Sequence, residues 1–229
     1  MGRKLLEQKA RVDKDRLYTP REALELLKSL EGAKFDESIE AHIRLNVDPR
    51  KADQMVRGTL MLPNGTGKTR RVAAFVVGEK AREAEEAGAD IVGSDDLAAR
   101  IRDDGFMEFD VAVATPDQMS IVGRLGPILG PRGLMPNPKS GTVTPNVGRA
   151  VEDIKRGKIE YRVDRYGIIH AIIGKKSFDI DKLVENYFAL RDELQRIRPA
   201  AVRGRYFKSV ALATTMGPAI QIDPTVEKD

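Results

Sequence analysis

Between Gly123 and Val147 the chain reads GRLGPILGPRGLMPNPKSGTVTPNV, where glycine and proline recur too often for a helix or a strand. No acid lies between Asp117 and Glu152, whereas Arg124, Arg132, Lys139 and Arg149 all fall in that window. A backbone that cannot pair with itself belongs at a surface, where its amides and these cations can be offered to an anion. The chemistry on offer is binding. A nucleotide-dependent transferase built on this loop would need an acid or nucleophile beside the phosphates, and the window from Gln118 to Val151 holds neither carboxylate nor histidine.

A second acid-free window, Leu194 to Ile222, holds Arg196, Arg198, Arg203, Arg205 and Lys208 together with the run Thr214, Thr215, Met216, Gly217, Pro218. Hydroxyls, amides exposed beside glycine and a flexible thioether suit a sugar edge and its 2′-hydroxyls. The same five residues equally suit a plain turn between two strands, and the residues alone leave both open. Phe35, between Lys34 and Asp36, is either a core aromatic or, by its place at a junction, a stacking surface. The amino terminus adds Arg3, Lys4, Lys9 and Arg11 against Glu7, while acids concentrate between Glu79 and Asp110.

Two imitations of cofactor motifs fail. Asn64 to Thr69 (NGTGKT) ends like a phosphate-binding P-loop, but Leu62 stands where the first glycine belongs, and the segment precedes an apolar strand instead of following one. Gly123, Gly126, Gly130 and Gly133 lack dinucleotide spacing, and Pro127 and Pro131 obstruct the helix that would have to follow. No cofactor is expected. Cysteine is absent, and His42 and His170 are far apart in sequence without companions at ligand spacing, so neither a disulfide framework nor a metal centre is expected.

With 39 basic and 35 acidic residues the net charge of +4 says little about partners; the segregation of charge says more. No apolar run approaches the roughly 20 residues that span a bilayer. The opening MGRKLLEQKARVDKD also lacks the apolar centre of a signal peptide. These features point to a soluble cytoplasmic protein with no membrane partner.

The elements that must position these residues follow from periodicity. Thr19, Pro20, Arg21, Glu22 predicts a capping box opening a helix with Leu24, Leu27 and Leu30 on one face and Gly32 at its end. Ile39, Ala41, Ile43, Leu45 and Val47 alternate with polar residues and predict a half-buried strand; Val56 to Leu62 predicts another, with Gly58 marking a bulge or bend. The style then changes to the continuous apolar runs Val72 to Val77, Ala89 to Val92 and Val111 to Ala114. Helical patterns lie between them at Glu79 to Ala87 and Ser94 to Arg102, a second capping-box pattern follows at Thr115 to Gln118, and a helix runs from Asn146 to Gly157. Such alternation predicts a parallel α/β unit. Alternating strands return at Ile159 to Val163 and Ile168 to Ile173, then a long helix, Asp179 to Arg198, and strands at Arg205 to Ala213 and Ala219 to Ile222. An α/β domain inserted into an α+β domain results, with chain crossings near Pro63 and Gly157 that suit a hinge.

Three blocks carry a family resemblance: GRLGPILGPRGLMPNPKSGTV (Gly123 to Val143), AKFDESIEAHIRLNVDPRKADQMVRGT (Ala33 to Thr59) and ATTMGP (Ala213 to Pro218). Together, and over essentially the whole chain, the sequence resembles the ribosomal protein L-one family, the stalk protein of the large ribosomal subunit, in its bacterial form. The resemblance implies a mixed α/β and α+β fold in two domains. A split α+β RNA-binding domain, residues 1–62 and 158–229, would carry an inserted Rossmann-like α/β domain, residues 63–157, that binds no dinucleotide. It implies a protein that is not an enzyme and binds 23S rRNA at the mobile stalk, helps release deacylated exit-site tRNA, and represses its own operon by binding its mRNA. It also implies a monomer when free of the ribosome.

Residue by residue, the resemblance places RNA contacts at Lys34, Phe35, Ser38, Glu40, Ser209, Thr214, Thr215, Met216 and Gly217, with a weaker second-domain contact at Arg132 and Lys139. Ser38 stands where threonine is common in relatives and keeps the hydroxyl. In this reading Phe35 and Met216 pack on sugars or bases, and Thr215 and Ser209 bond 2′-hydroxyls. Glu40 accepts from a sugar or base donor, contributing selectivity rather than attraction.

Overall fold

The computed structural model describes residues 3–226, with side chains from Leu5 onward, so the side chains of Arg3 and Lys4 lie outside the described residues. In chain order the first elements are helices α1 (Arg3–Ala10) and α2 (Pro20–Ser29), and strands β1 (Ser38–Leu45), β2 (Arg57–Met61) and β3 (Val72–Phe75). Helix α3 (Glu79–Glu86), β4 (Ile91–Gly93), α4 (Asp95–Asp103), β5 (Val111–Ala114), α5 (Met119–Arg124), α6 (Gly126–Leu129) and α7 (Val147–Lys155) follow. The chain closes with β6 (Lys158–Arg162), β7 (Ile168–Lys175), α8 (Ile180–Arg196), β8 (Phe207–Thr214) and β9 (Ala219–Ile222). Two compact units result, one made of the residues up to Gly67 together with those from Ile159 onward, the other of Lys68–Lys158.

The first unit is built on a four-stranded sheet in the order β7-β1-β8-β9, antiparallel throughout. Because strand side chains alternate, Ile39, Ala41, Ile43 and Leu45 share one face with Ile169, Ile173, Val210, Leu212, Ile220 and Ile222, and all are buried. Helices α2 and α8 cover that face, contributing Leu24, Leu27, Leu183, Tyr187, Leu190 and Leu194 to the same core. At the start of α2 the Glu22 N–H donates to Thr19 Oγ1 at 3.3 Å and the Thr19 N–H donates to Glu22 Oε2 at 2.9 Å, the reciprocal capping read from the sequence. The helix stops earlier than Gly32: Leu30 is already extended (φ −72°, ψ 140°) and leaves the helix to become buried.

Strands β2 and β6 form a separate two-stranded ribbon. Gly58 serves there as clearance. A Cβ at Gly58 would lie 2.5 Å from the Tyr161 hydroxyl, which itself donates to Glu193 Oε1 at 3.1 Å.

The second unit is a three-stranded parallel sheet in the order β4-β3-β5. Val72, Ala74 and Val113 face α3 and α7, packing with Ala84, Val147, Val151 and Ile154. Ala73, Phe75, Ala112 and Ala114 face the opposite way, onto Leu97, Ile101, Val122, Leu125 and Leu129. Strands buried on both faces must be apolar throughout, which is why their runs are continuous.

Two expectations fail here. Gly123–Val147 is not loop throughout: α6 spans Gly126–Leu129, because Pro127 sits in a first helical turn, where a missing N–H costs nothing, and Leu129 is buried. The capping pattern at Thr115 forms no side-chain cap; Gln118 turns instead to accept from the Ser94 hydroxyl, and a 3-10 turn over Pro116–Gln118 leads into α5. Among the described residues no helix is long and apolar enough to cross a membrane.

Candidate nucleic-acid interface

The start of β1 and the end of β8 lie side by side, with Ile39 opposite Thr214. One step further the Ser38 N–H donates to Thr215 Oγ1 at 3.0 Å, and the Thr215 N–H donates to the Ser38 carbonyl at 3.1 Å. The turn from Thr214 to Pro218 is thereby pinned to the first residue of β1. Thr215 Oγ1 also donates to the Ser38 carbonyl, a long bond at 3.4 Å. Thr215 itself is exposed, so its hydroxyl is within reach of a partner at the surface.

Met216, next in the turn, is 62% exposed, and Phe35 is 55% exposed. Neither is a core residue. Phe35 is held outward by its neighbours: Asp36 accepts from the Ser177 N–H at 3.1 Å and the Ser177 hydroxyl at 2.8 Å, and Glu37 Oε1 accepts from the Ala33 N–H at 2.7 Å. Lys175 Nζ donates to the Asp36 carbonyl at 3.0 Å. Lys34 and Met216 line a shallow, mainly apolar groove of about 320 Å³ together with Leu5 and Ala33. Gly217 closes the turn with its N–H on the Thr214 carbonyl at 3.2 Å. A Cβ there would stand 2.3 Å from Thr214 Oγ1, so only glycine lets the turn fold back over Thr214.

Glu40 and Ser209 belong to the open face of the sheet. Glu40 stands opposite Ala213 and Arg44 opposite Ser209, so the two candidate contacts flank His42 on the same side. Two of the residues assigned by resemblance are not presented: Ser38 and Thr214 are both only 7% exposed, the first at the strand start and the second beneath Gly217. Arg132 and Lys139 belong to the other unit and are exposed there, Lys139 in a 3-10 turn whose backbone N–H donates to Asn137 Oδ1 at 2.8 Å. The second half of that glycine-rich segment is tied to β5, with the Ala114 N–H on the Thr142 carbonyl at 2.9 Å and the Thr144 N–H on the Ala114 carbonyl at 3.1 Å.

Pattern reading treated His42 and His170 as unrelated, and the fold joins them. They face each other across β1 and β7, Nδ1 to Nδ1 at 2.8 Å, rings edge to face. Both lay on alternating segments, so their wet-face placement was readable; their pairing needed the register. Burial first, then the proximity of His170, lowers the pKa of His42, against a smaller opposing pull from Glu40. Asp164 Oδ2 lies 3.4 Å from His170 Nε2. Burial alone would raise the Asp164 carboxyl, but the amides of Ile168 and Tyr166, and then His170, outweigh it and hold it below the usual carboxylate range. Among the described residues no group of three or more histidines and acids is arranged to hold a metal ion.

The arrangement is a binding surface: two exposed apolar side chains and an exposed threonine at one end of a sheet. Its open face carries a carboxylate, a histidine pair, an arginine and a serine. Comparison with known proteins gives matches along nearly the whole chain. The profile of the ribosomal protein L1p/L10e family matches residues 27–218. A large ribosomal subunit protein uL1 from Rubrobacter xylanophilus is 79% identical over 228 residues, covering 100% of this chain and 99% of its own length. Proteins of the same name from Thermobifida fusca and Mycobacteroides abscessus are 60% and 58% identical, over 99% and 97% of this chain and 95% and 94% of their own lengths.

Proposed function

We propose that this chain, which belongs to the ribosomal protein L1p/L10e family, is a structural constituent of the cytoplasmic large ribosomal subunit that binds 23S rRNA at the mobile stalk through its sheet-bearing unit. The family is one of structural proteins without catalytic activity. The observation that carries the reading is the convergence of Phe35, Thr215, Met216 and Gly217, from opposite ends of the chain, around the Ser38–Thr215 bonds. Exposed apolar groups beside an exposed threonine hydroxyl suit the sugars and bases of a folded RNA strand, where shape and 2′-hydroxyls are read. Phosphate contacts from Arg44, Arg203, Arg205 and Lys208 would add affinity without selectivity.

Two further roles rest on the same surface. An element of the operon's own mRNA that repeats the shape of the stalk RNA would compete for it, giving autogenous repression. On the ribosome, the second unit, with Arg132 and Lys139, would touch stalk RNA, and the protein would assist departure of deacylated tRNA from the exit site. Free of the ribosome it would be a monomer.

A gel-shift titration with stalk RNA, a plain duplex RNA and the operon leader over a salt series tests this directly. The reading requires stalk RNA and leader to compete with one another and the duplex to compete poorly at physiological salt. Equal competition by the duplex would reduce the protein to a general polycation and end it.

A further inference from the structure

The open face of the β7-β1-β8-β9 sheet has a feature that simple RNA docking does not use. Glu40 and Arg44 lie on either side of His42 on β1, and Ser209 stands opposite Arg44, so an RNA strand that touches both Glu40 and Ser209 crosses His42. The span is short. Four residues along a strand cover about 13 Å, which a few nucleotides bridge. Beside His42 on the other strand is His170, and the two Nδ1 atoms are 2.8 Å apart.

That distance limits the protonation states. A hydrogen bond between two ring nitrogens needs one N–H donor and one lone pair, so the contact survives with the pair neutral or carrying one extra proton. A second extra proton would set two N–H groups head to head and break it. The singly charged state has a natural seat on His170, which is the more exposed ring and has Asp164 Oδ2 3.4 Å from its Nε2. The other charged groups about the pair are Glu40, whose Oε2 is 4.0 Å from His42 Nε2, Arg44 on the same strand, and Arg162 next to the Val163–Ile169 bridge. Lys208 sits in the β8 bulge beside Arg44. On β8 the residue directly opposite His42 is the uncharged Ala211.

We propose that the His42–His170 pair is a proton-linked contact to the RNA backbone, taking up one proton when a phosphate lies over the open sheet face. The proposal rests on the RNA-binding reading above. A phosphate over the face favours the charged pair over the neutral one, so the pair binds protons more tightly in the complex than in the free protein. By linkage, affinity is greatest at low pH and declines as pH rises through the pair's titration. The decline runs from the pair's titration in the free protein up to its higher titration in the complex.

The test is stalk-RNA affinity at pH 6.0, 7.0 and 8.0, at one ionic strength, for the wild type, the double variant His42→Gln/His170→Gln and Ser209→Ala. The wild type should lose about tenfold in affinity over that range. The double variant, with neither imidazole, should be flat within about twofold, and Ser209→Ala should bind more weakly while keeping the slope. Titration calorimetry in two buffers of different ionisation heat gives the proton uptake of the unaltered protein independently of any variant. Stalk RNA preferred over duplex with no proton uptake overturns the inference and leaves the function standing, as does a slope that persists in the double variant. Failure to prefer stalk RNA at every pH removes the functional reading, and the inference with it.

Discussion

Ser38 and Thr215, 177 positions apart, hold each other by two hydrogen bonds: the Ser38 N–H donates to Thr215 Oγ1 at 3.0 Å and the Thr215 N–H donates back to the Ser38 carbonyl at 3.1 Å. Thr215 therefore has two duties. It closes the sheet where β1 and β8 meet, and it carries an exposed hydroxyl whose own bond, to the Ser38 carbonyl, is long at 3.4 Å.

The two duties separate by substitution. Thr215→Ala removes the acceptor of the Ser38 N–H and should cost about 1 kcal/mol of stability as well as RNA affinity. Thr215→Ser should restore both. Met216→Ala, at a side chain 62% exposed, should leave stability within about 0.5 kcal/mol and still weaken stalk-RNA binding severalfold. Thermal denaturation beside gel shift distinguishes the cases; a Met216→Ala protein that binds normally would take Met216 out of the interface.

Gly217 gives a packing test of the same turn. A methyl there would meet Thr214 Oγ1 at 2.3 Å, and Thr214 is buried. Gly217→Ala should destabilise by about 1–3 kcal/mol. The double variant with Thr214→Ala, which deletes the clashing hydroxyl, should recover a large part of the loss. If the double variant is as unstable as the sum of the singles, the clash is not the cause.

Much of this surface was legible in the chain before its fold. Alternation over Ile39–Val47 and Ile168–Ile173 assigned each residue to a wet or dry face, because strand side chains point alternately. Alternation carries no register. Nothing local says that His42 stands opposite His170, or that Glu40 and Ser209 flank one path, and a slip of one residue would invert every face. Burial of Ser38 and Thr214 was hidden for a related reason: a strand's terminal residue looks the same whether the adjoining segment folds over it or away. Gly58 reads from the sequence as a bulge or bend; that a Cβ there would meet Tyr161 is not legible, because a glycine's cause can lie with a residue distant in the chain. Pro127 read as a breaker, although at a helix's first turn proline has no bond to lose.

In the second unit, acid should act through Asp90. Its Oδ2 accepts from the Val72 N–H at 2.7 Å and from Lys155 Nζ at 2.6 Å. Burial alone would raise its pKa, yet the lysine and the amide outweigh burial and hold it below the usual carboxylate range. A folded pKa below the unfolded one means that this stabilisation is fully present above the unfolded value of about 3.9. It is lost as pH falls through the folded value. Asp90→Asn should therefore lower Tm at pH 7 and narrow the gap to wild type at pH 3. A gap unchanged with pH would show that the Lys155 pair contributes nothing to stability.

Arg44 separates attraction from recognition. It is exposed on the open sheet face, opposite Ser209, with no acid paired to it among the described ion pairs. A cation so placed meets phosphate, which every sequence carries, whereas Thr215 and Met216 meet sugars and bases. Arg44→Ala should weaken stalk RNA and duplex in the same proportion, leaving their ratio unchanged, and should flatten the plot of log affinity against log salt by about 0.7–0.9. Met216→Ala should do the reverse, lowering the ratio at constant slope. A salt slope untouched by Arg44→Ala would place the RNA backbone elsewhere and would confine the interface to the Phe35 and Met216 end of the sheet.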